Sequence, residues 1–226
     1  MEKKTIIIIS MISAVISMIY LVLQYFGLIR YTGLYLFSPE RYIKNYKDLD
    51  KIDKTNRTVI ALTSTPEKMK NLTPVIISLL DQTVKVDLIS IVVPYGSQYK
   101  LPKNLKDAVT IFRTTRNKGD LTPILSSLIR EGESNTKLII LGDNTIYGKD
   151  FIEQLIDESN KNPTKIIQVN DKNSINLKKG TVFKTDFFKD DFLNIGKDDN
   201  YNKWINEYFK NFPKKRIIYS ENYRKL

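Results

Sequence analysis

The sequence contains no cysteine and no histidine, and these two absences exclude several kinds of chemistry. Without cysteine the chain forms no disulfide and has no thiolate, and it gives no indication of redox compartment. Without histidine a Ser-His-Asp catalytic triad is excluded. A bound metal ion would be held by oxygen ligands, which suits Mg²⁺ or Mn²⁺ better than Zn²⁺.

The charge balance is basic, with 36 Lys and Arg against 25 Asp and Glu and a formal net charge of +11. Such a balance is compatible with binding to nucleic acid, anionic lipid or phosphate-bearing ligands. The lysines are scattered along the chain, however, and no basic helix or aromatic-basic reader motif is present. We therefore expect no nucleic-acid partner. A content of 42% hydrophobic and 27% charged residues indicates a folded protein.

The N-terminal region is apolar, and residues 5–29 contain no charged side chain. That length is enough to cross a bilayer as a helix. A cleaved signal peptide is the alternative, but its apolar core is usually shorter and a small-residue cleavage site follows it. We predict a tail at 1–4, a transmembrane helix at 5–29, a stem or linker at 30–55 and a folded domain at 56–226. Basic residues flank the span on both sides, so orientation and compartment stay undecided.

Strand-like and helix-like segments alternate within the predicted domain. Strands are predicted at 58–63, 86–93, 109–113, 137–141, 165–169 and 216–219, and helices near 69–80, 121–130, 149–160 and 200–210. Pro74 predicts a break or kink in the first of these helices. The alternation predicts an α/β fold with a mainly parallel, doubly wound sheet.

The stretch Lys137–Tyr147 reads KLIILGDNTIY, a buried strand followed by a small polar cluster. Ligands of open parallel sheets bind beyond the carboxyl ends of the strands, so Asp143 and Asn144 are candidate site residues. The alternative is a strand followed by an ordinary turn, because Gly-Asp-Asn is also good turn chemistry.

Three stretches carry a family resemblance. They are Leu62–Lys68 (LTSTPEK) with the helix segment Pro74–Thr83 (PVIISLLDQT), then Asp120–Pro123 (DLTP), then Gly142–Tyr147 (GDNTIY). In this order they resemble the nucleotide-sugar-dependent glycosyltransferases that have a single Rossmann-like α/β domain and an Asp-x-Asp metal motif, in particular small membrane-anchored members. The third stretch departs from that motif, because Gly142 and Asn144 stand where acidic residues are usual.

The resemblance implies a glycosyltransferase type A-like fold and a role for each matching residue. The implied donor-binding residues are Thr63, Ser64, Thr65, Lys68, Asp120, Asp143 and Asn144. Asp143 and Asn144 would also be the ligands of Mn²⁺ or Mg²⁺, in a motif reduced to one carboxylate. Asp198 and Asp199 resemble the acidic pair that supplies the catalytic base.

A glycosyl donor leaves behind a diphosphate, whose charge needs a divalent ion or several cationic donors. A metal-free route would use Lys68, Arg116 or Lys118. Three functions stay open. The first is a transferase that moves a sugar from a UDP- or GDP-sugar to a glycan or glycoprotein acceptor. The second is a degenerate relative that binds glycan or nucleotide or acts as a partner subunit. The third is a membrane-tethered protein that binds nucleic acid or a lipid surface by charge alone.

Overall fold

The computed structural model describes most of the chain. The described residues are 2–25, 27–51, 53, 55–65, 68–97, 101–115, 117–132, 135–169, 174–194 and 200–219. They fall into two compact units, Met1–Ser38 and Pro39–Leu226.

The first unit consists of two helices, α1 (Glu2–Tyr25) and α2 (Leu28–Leu36). Between Lys3 and Tyr25, α1 is long and apolar enough to cross a membrane, and none of this stretch is buried inside the structure. A signal sequence near the N-terminus would meet the same criterion. The helix therefore supports a membrane segment by its length and composition.

The second unit contains the alternating strands and helices. In chain order these are α3 (Pro39–Lys47), β1 (Thr58–Thr63), α4 (Met69–Leu80), β2 (Leu88–Pro94), β3 (Thr110–Thr114), α5 (Thr122–Arg130), β4 (Lys137–Leu141), α6 (Phe151–Lys161), β5 (Ile166–Val169), β6 (Thr181–Lys184), α7 (Tyr201–Tyr208) and β7 (Lys214–Ile217). Short 3₁₀ turns lie at Lys103–Leu105, Gly119–Leu121, Thr185–Phe187 and Asp190–Asn194.

The described strands form one sheet in the order β3-β2-β1-β4-β6-β5-β7. Strands β3, β2, β1 and β4 pair in parallel, β6 is antiparallel to both β4 and β5, and β7 is parallel to β5. The two central strands β1 and β4 are buried along almost their whole length, as their continuous apolar runs indicate. The predicted fold class, an α/β fold with a mainly parallel sheet, is confirmed.

Helix α4 runs through Pro74 in one piece instead of breaking there. A proline inside a helix removes one backbone hydrogen bond. Burial compensates, because Leu72, Val75, Ile76 and Leu79 are each fully buried on the same helix. The packing of its apolar face therefore decides the course of α4.

Residues of the predicted linker pack onto the sheet unit. In α3, Tyr42, Ile43 and Tyr46 are buried, and the Tyr46 hydroxyl accepts the Val86 N–H at 3.0 Å. Beyond α3, the Asp53 carboxylate pairs with the Lys137 ammonium at the start of β4. The compact unit thus includes α3 and Asp53, which come before β1.

Candidate functional site

A cavity of about 190 Å³ lies at the carboxyl ends of β1 and β4. Six of the predicted donor-binding residues line it, although up to 80 positions separate them in the sequence: Thr63, Ser64, Thr65, Lys68, Asp120 and Asp143. Parallel strands bring their carboxyl ends to one edge of a sheet, where open α/β sheets bind ligands. The sheet therefore explains why these separated residues meet.

The β1 side of the cavity carries three hydroxyl side chains. Thr63 donates its hydroxyl to the Val92 carbonyl at 3.2 Å, which links the ends of β1 and β2. The carbonyl of Thr65 accepts the Lys68 N–H at 3.0 Å. Ser64 is 2% exposed, and its buried Oγ has no hydrogen-bond partner among the described residues. A buried hydroxyl without a partner is unfavourable, so a ligand at this position would satisfy it.

The Lys68 ammonium lies 3.1 Å from Asp143 Oδ1. The Lys68 side chain is 48% exposed, whereas that of Asp143 is 8% exposed. The second oxygen, Asp143 Oδ2, is buried and has no hydrogen-bond partner among the described residues. One face of the carboxylate is thus neutralised and the other is left for a further donor.

The opposite wall of the cavity comes from the segment before β6. The Lys178 ammonium lies 3.0 Å from Asp120 Oδ2. The Lys178 carbonyl also backs Gly142 so closely that a Cβ at position 142 would lie 2.7 Å from it. Contacts this short essentially never occur, so the backbone of Lys178 explains why glycine occupies the first position of the reduced acidic motif.

Two buried polar side chains, Ser78 of α4 and Gln82 just after it, hold the loop that follows Asp143. Ser78 Oγ accepts the Tyr147 N–H at 3.1 Å. Gln82 donates its amide to the Gly148 carbonyl at 2.7 Å and accepts the Ile152 N–H through Oε1 at 3.0 Å. The Tyr147 hydroxyl closes the loop on itself by donating to the Gly142 carbonyl at 2.8 Å. These bonds fix the backbone on both sides of the site carboxylate.

The turn that carries Asp120 is held from two directions. Thr122 Oγ1 accepts the Lys118 N–H at 2.8 Å, and Asn117 Oδ1 accepts the Gly119 N–H at 3.2 Å. Gly119 has φ +54°, and a Cβ there would lie 3.2 Å from the Tyr201 ring of α7. Glycine permits both this conformation and the close approach of α7.

Two of the remaining predicted residues are described and do not line the cavity. Asn144 does not line it, and its Oδ1 accepts the Thr145 hydroxyl at 3.4 Å instead. Lys118 lies over the Tyr201 ring, 5.7 Å from the ring centroid. Asp198, Asp199 and Arg116 lie outside the described residues.

The cavity does not fit a resident Mn²⁺ or Mg²⁺ in the part of the chain that the structure describes, where no three acidic side chains converge. The Asp143 carboxylate already forms an ion pair with Lys68, and the Asp120 carboxylate forms one with Lys178. The expected second ligand, Asn144, does not line the cavity. Divalent oxygen sites need several oxygens around the ion, and a neighbouring ammonium would repel it.

Sequence reasoning missed Lys178 and gave no role to Ser78 and Gln82. Ser78 and Gln82 stand in the segment PVIISLLDQT, and their signal was a polar pair at i, i+4 among apolar neighbours. Lys178 comes from a lysine- and asparagine-rich stretch without periodicity. No local pattern distinguishes it from the other lysines of the chain.

No protein-family model matches this chain, and no curated protein matches it. Solved structures with a similar course of the chain are nucleotidyltransferase-like α/β enzymes. A protein described as a glucose-1-phosphate thymidylyltransferase, from Bacillus anthracis and crystallised with sucrose, has 10% identity and a TM-score of 0.48, with 76% of this chain and 89% of that chain covered. The 4-diphosphocytidyl-2C-methyl-D-erythritol synthase of Anaerococcus prevotii has 10% identity and a TM-score of 0.47, with 76% and 92% covered. HddC of Yersinia pseudotuberculosis has 11% identity and a TM-score of 0.49, with 75% and 93% covered. Identities and TM-scores this low carry no argument about activity.

Proposed function

We propose that this protein is a membrane-anchored glycosyltransferase. It transfers a sugar from a UDP- or GDP-sugar to a hydroxyl of a glycan or glycoprotein acceptor. One observation carries the proposal: the residues that match the family motifs, from Thr63 to Asp143, line one cavity at the carboxyl edge of a parallel sheet. A chance resemblance in three separate stretches gives no reason for those residues to meet at the ligand-binding edge.

The nucleotide binds beside the end of β1. Thr63, Ser64 and Thr65 line the cavity just ahead of α4. The hydroxyls bind the polar groups of the base or ribose. The diphosphate then lies toward Lys68, the residue just before α4, where the helix dipole also favours negative charge.

The transfer step forms one bond and breaks another. The acceptor oxygen attacks the anomeric carbon of the donor sugar, and the bond from that carbon to the diphosphate oxygen breaks. The electron pair leaves with the diphosphate, and a carboxylate takes the acceptor proton. The base is Asp199 or Asp198, which precede α7 in the sequence and stand outside the described residues.

A non-catalytic relative is the second candidate, and the reduced acidic motif favours it. Asp143 is the one carboxylate that remains of that motif, and the backbone of Lys178 leaves no room for an acid at position 142. Such a protein would bind a nucleotide sugar or a glycan without turning it over. The two candidates differ in turnover and agree in binding.

The test uses the full chain in detergent micelles with UDP- and GDP-sugars as donors and oligosaccharides as acceptors. Release of UDP or GDP that depends on the acceptor is the expected result. Asp198→Asn and Asp199→Asn, tested separately and together, should lower that rate by at least about 100-fold while donor affinity is kept, since a general base contributes about 10²–10⁴-fold. Donor binding without release of UDP or GDP would favour the non-catalytic relative. Absence of donor binding would refute the glycosyltransferase, and absence of oligosaccharide binding as well would refute the non-catalytic relative.

A further inference from the structure

We propose that the cavity binds its nucleoside diphosphate without a divalent cation. Lys68 supplies the positive charge, and Asp143 accepts a hydroxyl of the ligand instead of coordinating a metal. This inference rests on the proposed function and specifies the chemistry of the same site.

The first argument is the position of the lysine charge. The Lys68 ammonium lies 3.1 Å from Asp143 Oδ1. A cation bound to that carboxylate would stand within a few ångströms of the ammonium, where like charges repel strongly. The ammonium therefore occupies the place at Asp143 that a metal ion would need.

The second argument is the absence of room for a second carboxylate. Any side chain at position 142 would press against the Lys178 carbonyl, at 2.7 Å from its Cβ. The same residue brings a second ammonium to the cavity, paired with Asp120 at 3.0 Å. Lys178 thus excludes an acidic side chain at position 142 through its backbone and contributes a positive charge to the cavity through its ammonium.

Both lysines are free enough to reach a ligand. The side chains of Lys68 and Lys178 are 48% and 60% exposed, while their partners Asp143 and Asp120 are 8% and 22% exposed. In each ion pair the carboxylate is therefore the more buried partner and the lysine is the more exposed one. A lysine ammonium has three donors on a flexible stem, so it binds a phosphate oxygen while it keeps its carboxylate partner.

The third argument comes from two buried atoms without partners. Asp143 Oδ2 and Ser64 Oγ both belong to residues that line the cavity, and neither has a hydrogen-bond partner among the described residues. An ionised carboxylate oxygen accepts hydrogen bonds and donates none. A ligand hydroxyl is the donor that satisfies Asp143 Oδ2. The cavity is therefore matched to a ligand with phosphates for the lysines and sugar hydroxyls for the carboxylate.

The experiment measures Kd by calorimetry for pyrophosphate, UDP and GDP, using the full chain in detergent micelles with either EDTA or Mn²⁺. We expect a nucleoside diphosphate to bind equally well in both buffers, to within about twofold. Lys68→Ala should weaken pyrophosphate and nucleotide alike, by about 10- to 100-fold for the loss of charge-assisted hydrogen bonds. Lys106→Ala, an exposed lysine remote from this cavity, is the matched control and should leave each Kd unchanged.

Asp143→Asn separates the two roles of the pair. It removes the negative charge that holds Lys68 and replaces one of the two acceptor oxygens with an N–H₂ donor. Nucleotide binding should therefore weaken, while pyrophosphate binding stays equal or becomes tighter. Melting temperatures of the three variants verify that each one is folded.

The outcomes distinguish this inference from the proposed function. Nucleotide binding that requires Mn²⁺ would overturn the inference and leave the proposed function standing. An unchanged Kd in Lys68→Ala, or weaker pyrophosphate binding in Asp143→Asn, would also overturn it. Absence of nucleotide binding in either buffer would remove the proposed function itself, and this inference with it.

Discussion

Asp53 and Lys137 form an ion pair that joins the segment before β1 to the first residue of β4. Their side chains are 10% and 2% exposed. Burial acts to raise the pKa of Asp53, but hydrogen bonds from Lys137 and from the N–H groups of Asn56 and Thr55 outweigh it and lower that pKa to about 2. The folded protein therefore strongly favours the ionised carboxylate.

This pair predicts how stability depends on pH. The folded pKa of Asp53 lies below the ordinary value of 3.8, so its contribution is full above pH 3.8 and is lost as the pH falls toward about 2. Asp53→Asn should cost about 3 kcal/mol at pH 7, because the Lys137 ammonium is left buried without a counter-charge. It should also flatten the stability profile between pH 4 and pH 2. Urea unfolding followed by circular dichroism across this pH range measures both effects.

The control for Asp53 is a more exposed ion pair. Lys215 and Glu158 are 3.7 Å apart, with side chains 47% and 23% exposed. Lys215→Ala should cost less than about 1 kcal/mol and leave the acid profile unchanged. Equal losses in the two variants would contradict the assigned role of burial.

Gln82 predicts a local effect on the loop after the site carboxylate. Gln82→Leu leaves the Ile152 N–H without its partner in a buried place, and it leaves the Gly148 carbonyl with the Phe151 N–H at 3.3 Å. We expect a loss of about 1–3 kcal/mol in stability for the unsatisfied N–H. Hydrogen exchange should accelerate in residues 142–152. Gln154→Leu, at an exposed position of α6, should change neither quantity, and a similar effect of both variants would contradict the prediction.

The position of Gly142 predicts that a single substitution to aspartate does not restore a metal-binding acidic motif. Gly142→Asp should destabilise the protein by about 1–3 kcal/mol, because the new Cβ meets the Lys178 carbonyl and an overpacked site strains the backbone. It should create no Mn²⁺ binding in calorimetry. At Gly132 a Cβ meets nothing within 4 Å, so Gly132→Ala should be nearly neutral. Tight Mn²⁺ binding by a stable Gly142→Asp protein would show that the site relaxes.

If α1 spans a membrane, a charged residue near its middle should weaken membrane association. Val15 lies near the middle of α1 and is 57% exposed. Val15→Lys should cost about 3 kcal/mol of insertion free energy at the centre of a bilayer. The fraction of protein that stays with membranes after alkaline extraction should fall. Ile129→Lys, equally exposed but on α5, should leave that fraction unchanged, and full retention of both variants would argue against a spanning helix.

The strands that depend on local pattern were predictable, and the strand that depends on distant pairing was not. Thr58–Thr63 and Lys137–Leu141 were predicted with the observed bounds, because continuous apolar runs end there in polar turns. The four residues Thr181–Lys184 contain no information about direction, and β6 becomes antiparallel through its pairing with β4.

In the candidate site, too, some residues were predictable from the sequence and some contacts were not. The rule for the carboxyl ends of strands selected Asp143 together with Asn144, which does not line the cavity, and the family resemblance added Ser64. It did not reveal that Asp143 binds Lys68, since a contact across 75 positions follows from the folded sheet. Lys178 was beyond prediction, because its approach to Gly142 depends on where the segment before β6 crosses the sheet edge.

The strand order also determines when each strand finds its neighbours during synthesis. Both neighbours of β5 in the sheet, β6 and β7, follow it in the sequence. During synthesis β5 therefore stays unpaired until Thr181–Lys184 has emerged from the ribosome. The outer edge of β4 also stays unpaired until then, because it pairs with the same four residues. Unpaired edges are where growing chains misassemble. A pause or premature stop before position 181 would thus leave the first four parallel strands complete, with the outer edge of β4 and both edges of β5 unpaired.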